Sequence, residues 1–279
     1  MTVVDSPLDE DAAAAGVPEA GHKPRARIVG RVGDLLFPLT GLAGIMVAWQ
    51  LATWLFDVPR YIIPPPLEIG HRMVVDQSVL AEHALVTLAA IAGGFIGAVV
   101  VGVALGALLA FSRTAERILY PLLVFSQSIP KVAIAPLFVV WFGFGMMPKV
   151  VVALLIAFFP IVIATVVGLK GTSIELIYLL RSMGAGRFKI FKLIQLPNAL
   201  PSVFGGLKVG ITMAVVGAVV GEFVGADRGL GYLIQVARGS FDTVLLFAAI
   251  VELSFLAIVL FLLIQVIERR LLRWSETED

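Results

Sequence analysis

The sequence predicts an all-α, polytopic membrane protein with six membrane-spanning helices. Its residues are 59% hydrophobic and only 15% charged, whereas a soluble domain carries about 25% charged residues. The mean hydropathy is +0.99. The apolar residues also gather into stretches near the roughly 20 residues a helix needs to cross the hydrocarbon core. The same figures exclude other classes. A net charge of +1, with the basic residues in loops, argues against nucleic acid as a partner. There is no cysteine, so disulfides, thiolate metal sites and thiol redox chemistry are excluded. His22, His71 and His83 lie far apart and form no ligand motif, so no metal site is expected.

Residues 1–34 read as a cytoplasmic, disordered tail, with an acidic, Ala-rich segment followed by Lys23, Arg25, Arg27 and Arg31. The remainder, 35–279, reads as one membrane domain. Its first span, about 36–56, is too long for the core of a signal peptide and has no small-residue cleavage site, so it is expected to stay uncleaved. The stretch IIPPPLEIGHRMVVDQ predicts a rigid proline turn and a short helix at the membrane surface. The second span, about 84–111, is rich in Gly and Ala. The third, about 118–142, is interrupted at Pro130 and Pro136, and the fourth, about 148–169, contains Pro160. The fifth and sixth are about 199–224 and 243–267. Gly93 and Gly97, Gly102 and Gly106, Gly206 and Gly210, and Gly217 and Gly221 recur at helical spacing, which lets helix backbones approach closely. The alternative is that some of them give mobility to a gate.

Between the fourth and fifth spans lies the longest polar interruption, KGTSIELIYLLRSMGAGRFKIFKLIQLPNALP at 170–201. Ile174, Ile177 and Leu180, then Phe188, Phe191 and Ile194, recur at helical spacing. Gly184 and Gly186 separate the two helical pieces, and Pro197 opens the next span, where a missing N–H costs nothing. Lys170, Arg181, Arg187, Lys189 and Lys192 face a single acid, Glu175. The tail, the 112–117 loop, this elbow and the C-terminus are the basic side. Arg60, Arg72, Lys149, Arg228 and Arg238 make a sparser set on the other. The bias of Lys and Arg toward the cytoplasm places both termini and the elbow there.

Gly184, nine residues, Ile194, one residue, Leu196 and Pro197 match G-x9-I-x-L-P. This spacing resembles the second half of the loop with which permeases of ATP-binding-cassette importers dock on their ATPase. PKVAIAPLFVVWFGFG, FFPIVIATVVGLKG and GEFVGADRGLGYLI extend the resemblance to roughly residues 37–273, toward importers of the nitrate/sulfonate/taurine type. The family loop usually begins Glu-Ala-Ala. Here Tyr178, Leu179 and Leu180 hold those places, and Glu175, one turn earlier, is the candidate substitute.

The resemblance implies a type I importer transmembrane fold, with the elbow at about 170–197 as the coupling element through Glu175, Tyr178, Arg181, Ser182, Gly184, Arg187, Ile194, Leu196 and Pro197. It implies no catalytic residue and no cofactor in this chain. ATP and Mg would sit on a cytoplasmic ABC ATPase dimer. The other partners it implies are a periplasmic or lipid-anchored solute-binding protein, docking at Gly225, Asp227, Arg228, Gly229 and Tyr232, and a second permease copy in a homodimer. The membrane is the bacterial inner membrane, and the solute is small and polar or anionic, with pyrimidine-like or aromatic solutes as the alternative.

An ionisable residue at the centre of a span costs about 2.5–3.5 kcal/mol on insertion scales, so each one needs an account. Lys131, Glu222 and Glu252, with Gln127 between Ser126 and Ser128, are candidates for the translocation path. The other reading is a buried ion pair of Lys131 with Glu252 or Glu222 that fixes helix packing. Lys208 reads as a side chain reaching toward the cytoplasm. Met146 and Met147 with Trp141 and Phe142 read as an interfacial belt. Two other classes of function fit the sequence less well. An intramembrane protease needs a Ser/His or Asp/Asp pair at membrane depth, and no span supplies one. A passive channel would use the polar patch but leaves the elbow without a purpose. The chain also lacks G-x4-G-K-[S/T], so it makes no nucleotide loop of its own.

Overall fold

The structure is a computed structural model that describes residues 30–272, with side chains from Thr40 onward. The tail cations Lys23, Arg25 and Arg27, its acidic segment and the C-terminal Arg273 lie outside the described residues. The chain divides into two units, Met1–Ala48 and Trp49–Asp279. Of the first, the described part is the opening of helix α1 (Gly30–Leu55), which starts inside the segment read as tail. The second carries α2 (Pro66–Val75), α3 (Gln77–Phe111), α4 (Arg113–Ser128), α5 (Lys131–Phe142), α6 (Met146–Lys170), α7 (Ile174–Ser182), α8 (Arg187–Ile190), α9 (Leu196–Gly225), α10 (Leu230–Gly239) and α11 (Thr243–Leu271).

In the second unit α6 packs extensively against both α3 and α9. Glycine makes the approach. A Cβ on Gly217 would lie 2.6 Å from the Cα of Ala153, one on Gly221 2.7 Å from the Cα of Lys149, and one on Gly106 2.6 Å from the Cβ of Thr165. The glycine ladders read from the sequence therefore serve backbone packing. Ile91 and Ala98 of α3, Ala153, Ala157 and Ile161 of α6, and Ile211 and Ala214 of α9 form the apolar centre. On one flank Ala135 and Phe138 of α5 pack on Val152 of α6.

The two ends of the bundle differ. At one end Ile69 of α2, Leu80 of α3, Leu230 and Leu233 of α10 and Ala248 of α11 cluster together. Arg72 donates to Asp242 there at 2.8 Å, and Asp242 caps α11 by accepting from the Leu245 N–H at 3.0 Å. At the opposite end Lys170 pairs with Glu116 at 2.5 Å and Lys208 with Glu268 at 2.8 Å, while Phe111 meets Phe191 edge-on at 5.5 Å. Lys208, read from the sequence as a structural side chain able to reach toward the cytoplasm, holds Glu268 of α11 in an ion pair.

Among the described residues α3, α6, α9 with its lead-in, and α11 are each long and apolar enough to cross a membrane. The first expected span corresponds to α1, 26 residues long, whose apolar stretch with described side chains is Thr40–Leu55. The expected third span is not one helix. α4 and α5 meet at 94° across Ile129–Pro130. With 16 and 12 residues, at about 1.5 Å per residue, neither arm alone covers a core of about 30 Å. Pro130 makes the break, standing as the N-cap of α5. Pro136 does not interrupt anything: it sits inside α5, as Pro121 does inside α4. The second span also starts earlier than its apolar run, because α3 extends two further turns through the mixed stretch QSVLAEH to Gln77.

Candidate functional site

The elbow is built from local capping. Ser173 opens α7 by accepting from the Leu176 N–H at 3.3 Å. Gly184 closes it with φ +81. The Ala185 N–H returns to the Leu180 carbonyl and the Gly184 N–H to the Arg181 carbonyl, both at 2.9 Å. This is the paired 6→1 and 5→2 pattern of a glycine-terminated helix. Nothing lies within 4 Å of a Cβ placed on Gly184, so backbone conformation alone demands glycine there. Gly186 then caps α8, and a π-helical turn, Phe191–Gln195, joins α8 to α9. Ile194 lies in that turn, and Leu196 and Pro197 begin α9, so the elbow runs into the span without a break.

The outer surface of the elbow is apolar and basic together. Tyr178, Met183 and Phe188 are 60%, 74% and 78% exposed. Arg181, Ser182, Arg187, Lys189 and Lys192 are exposed as well, and none of the four cations is in an ion pair among the described residues. The Glu175 carboxylate is held below the usual carboxylate range by hydrogen bonds from its own backbone N–H and the Ser173 hydroxyl. A cleft of about 600 Å³ opens beside these residues, lined among others by Phe111, Ile177, Arg181, Arg187 and Phe191. An exposed apolar patch rimmed by charge marks an interaction surface.

At the other end of the bundle, the N-terminus of α10 is closed by side chains from other helices. The Gly229 N–H donates to His83 Nδ1 at 2.9 Å, the Leu230 N–H to Thr87 Oγ1 at 2.8 Å and the Gly231 N–H to Glu222 Oε2 at 2.7 Å. The Thr87 hydroxyl donates in turn to Glu222 Oε1 at 2.9 Å. Lys149 Nζ donates to the Arg228 carbonyl at 2.6 Å. Thr87, Lys149 and Glu222 are 0%, 1% and 2% exposed. Gly229 has φ +128, and a Cβ there would collide with the Glu222 carboxylate. Outside the cap, Asp227 and Arg228 are exposed, Arg228 reaches Glu82 at 3.1 Å, and Tyr232 stacks on His83 at 5.9 Å.

The family described as binding-protein-dependent transport system inner membrane component matches residues 98–273. The chain belongs to this family. It is 41% identical to the riboflavin transport system permease protein RibX of Chloroflexus aurantiacus, over 93% of this chain and 98% of the relative. It is 39% identical to the formylaminopyrimidine transport permease protein ThiX of Halalkalibacterium halodurans, over 84% and 94%. The taurine transport system permease protein TauC of Escherichia coli is 28% identical, over 84% and 87%. An inward-facing structure of the MetNI methionine ABC transporter matches the fold, with a TM-score of 0.57 and 24% identity over 71% of this chain and 96% of that one. The protein is therefore the permease subunit of an ABC importer and not an enzyme; ATP hydrolysis belongs to a separate subunit.

Of the four residues expected along the permease's path, only Gln127 and Lys131 are bonded to one another, the Lys131 ammonium donating to the Gln127 side chain across the α4–α5 break. The ion pair of Lys131 with Glu222 or Glu252 is absent. Lys131 opens α5 one turn from Gln127, whereas Glu222 is turned into the α10 cap and is closed off from any open path. Glu252 is half-buried and has no hydrogen bond or ion pair among the described residues. The sequence does not announce the cap. Lys149 reads as a loop cation on the sparser basic side, yet it is almost wholly buried. The available signal was a carboxylate, Glu222, inside a span and in need of donors. Thr87 carried none, because threonine is unremarkable in a helix.

Proposed function

We propose that the permease moves a flat heteroaromatic solute of the flavin or pyrimidine class into the cytoplasm. Support comes from the higher identity to the riboflavin and formylaminopyrimidine permeases, 41% and 39%, than to the taurine permease, 28%. In this reading two copies enclose the path, and both termini and the elbow face the cytoplasm. A periplasmic or lipid-anchored binding protein delivers solute at Gly225, Asp227, Arg228, Gly229 and Tyr232. ATP and Mg sit on a cytoplasmic ATPase dimer that grips the elbow through Tyr178, Arg181, Ser182, Arg187 and the exposed carboxylate of Glu175. Closure of the ATPases swings the elbows as rigid bodies, and the cavity switches its access. The exposed apolar and basic face of the elbow, with its unpaired guanidinium groups, carries the docking part of the reading.

A second solute class, a small anion such as a sulfonate, is favoured by one observation: the Lys131 ammonium meets only a neutral amide. Proteoliposomes holding the permease, its ATPase and its binding protein separate the two. ATP-dependent uptake of riboflavin or formylaminopyrimidine without taurine supports the heteroaromatic reading. Uptake of taurine alone overturns it.

A further inference from the structure

The first N–H groups of a helix have no partner inside it and are ordinarily met by the residues leading into that helix. α10 has no such local side-chain cap. Its leading donors go to three side chains on two other helices, His83 and Thr87 of α3 and Glu222 of α9, the last meeting the N–H groups of both Gly231 and Tyr232, while a third helix, α6, holds the preceding carbonyl through Lys149. Thr87 is the pivot, since its hydroxyl accepts from Leu230 and donates to Glu222. The bonds among Thr87, Glu222, Leu230 and Gly231 are buried, and a buried polar group that loses its partner is costly, so this centre of the cap is complete or it opens. Gly229 and Gly231 leave no room for adjustment: a Cβ on Gly231 would lie 2.9 Å from Glu222 Oε2 and 3.1 Å from the Val219 carbonyl.

The geometry points to Thr87, with His83, Glu222 and Lys149, as positioning residues that lock the 226–229 loop and α10 to α3, α6 and α9. The outer loop is then a reporter and lever of the spacing between those spans. Any separation of α3 from α9 pulls Thr87 from Glu222, uncaps α10 and frees the loop; a partner that clamps the loop holds the spans together. The inference rests on the importer reading, in which the spans move during each cycle.

The chain has no cysteine, so Asp227→Cys installs a single thiol at an exposed position of the loop. The complex with its ATPase is labelled by a membrane-impermeant maleimide, nucleotide-free and after trapping with ATP and vanadate. The expected result is two different labelling rates in the parent, loss of that difference with Thr87→Val, and its return with Thr87→Ser, which keeps the hydroxyl. A role in folding alone would shift both rates together and leave their ratio. Equal rates in the two states of the parent, or an undiminished difference with Thr87→Val, overturn the inference. Should Thr87→Val fail to assemble, Glu222→Gln takes its place, with loss of the difference supporting the inference and retention overturning it. A parent complex that hydrolyses no ATP overturns the importer reading itself, a result distinguishable from either.

Discussion

The elbow and the 226–229 loop are both glycine-turned interruptions at opposite ends of one bundle, and they are held in opposite ways. The elbow is capped by its own neighbours, Ser173 before α7 and Gly184 after it, and its cations are unpaired and exposed. The 226–229 loop is capped by His83, Thr87 and Glu222, all outside the loop and from two different helices; Thr87 and Glu222 are buried, and the backbone donors they meet are satisfied. A segment whose shape is local can dock on a partner without disturbing the bundle. A segment whose shape is borrowed from several spans cannot move without them. The difference assigns adaptability to one end and transmission to the other.

The largest expected effect falls on the outer loop. Gly229→Ala forces a non-glycine residue to φ +128 and drives its Cβ into Glu222. Strain and the lost cap together cost roughly 3 kcal/mol or more. Thermal unfolding in detergent should show a large loss, and a melting temperature equal to the parent's would break the comparison from this side. Gly184→Val is next. Its strain is about 1–2 kcal/mol, in an exposed turn with open space around it. The permease should remain inserted yet lose its ATPase, so co-purification of the ATPase at parental yield with normal stimulated hydrolysis would disprove the elbow's role.

Lys131→Met tests the middle of the molecule. With Gln127 as its side-chain partner among the described residues, the effect on stability should be about 1 kcal/mol or less. A lost carboxylate partner would instead cost about 3–5 kcal/mol and be rescued by Glu252→Gln. Uptake in vesicles then reports the solute: taurine transport falls if an anion is carried, and riboflavin transport persists if the solute is heteroaromatic. The smallest effect belongs to Glu175. Its carboxylate is held below the ordinary range, so whatever the charge contributes to ATPase docking is present above that range and disappears only as pH falls through the lowered value. Docking should therefore be flat between pH 5 and 8 as far as Glu175 is concerned. Glu175→Gln should weaken docking most at low ionic strength, where surface charge is least screened. Equal affinity of parent and variant in low salt would remove Glu175 from the interface.

What could be read from the chain alone follows the range of the forces involved. Apolar runs, glycine spacing and the Ser173 and Gly184 caps are local, and the helices, the glycine packing ladders and the two-piece elbow were legible for that reason. Pro130 announced a break, but not that the two arms would meet at 94°. The ion-pair expectation for Lys131 failed because sequence supplies the charges in a span without saying which way each one points. Lys149 looked like a loop cation beside Pro148 and Met147, and its burial depends on the approach of Gly221 from a helix seventy residues away in the chain.

The sequence by itself determined that this is a helical membrane protein with a basic elbow turned at Gly184, since hydropathy, helical period and left-handed glycine act within a few residues; that it is a permease rested on the resemblance of its motifs. Only the tertiary structure decided how the outer loop is held. The backbone donors at the start of α10 had to find acceptors, and which side chains reach them is settled by how α3, α6 and α9 pack on glycine, a matter of ångströms between helices far apart in the chain.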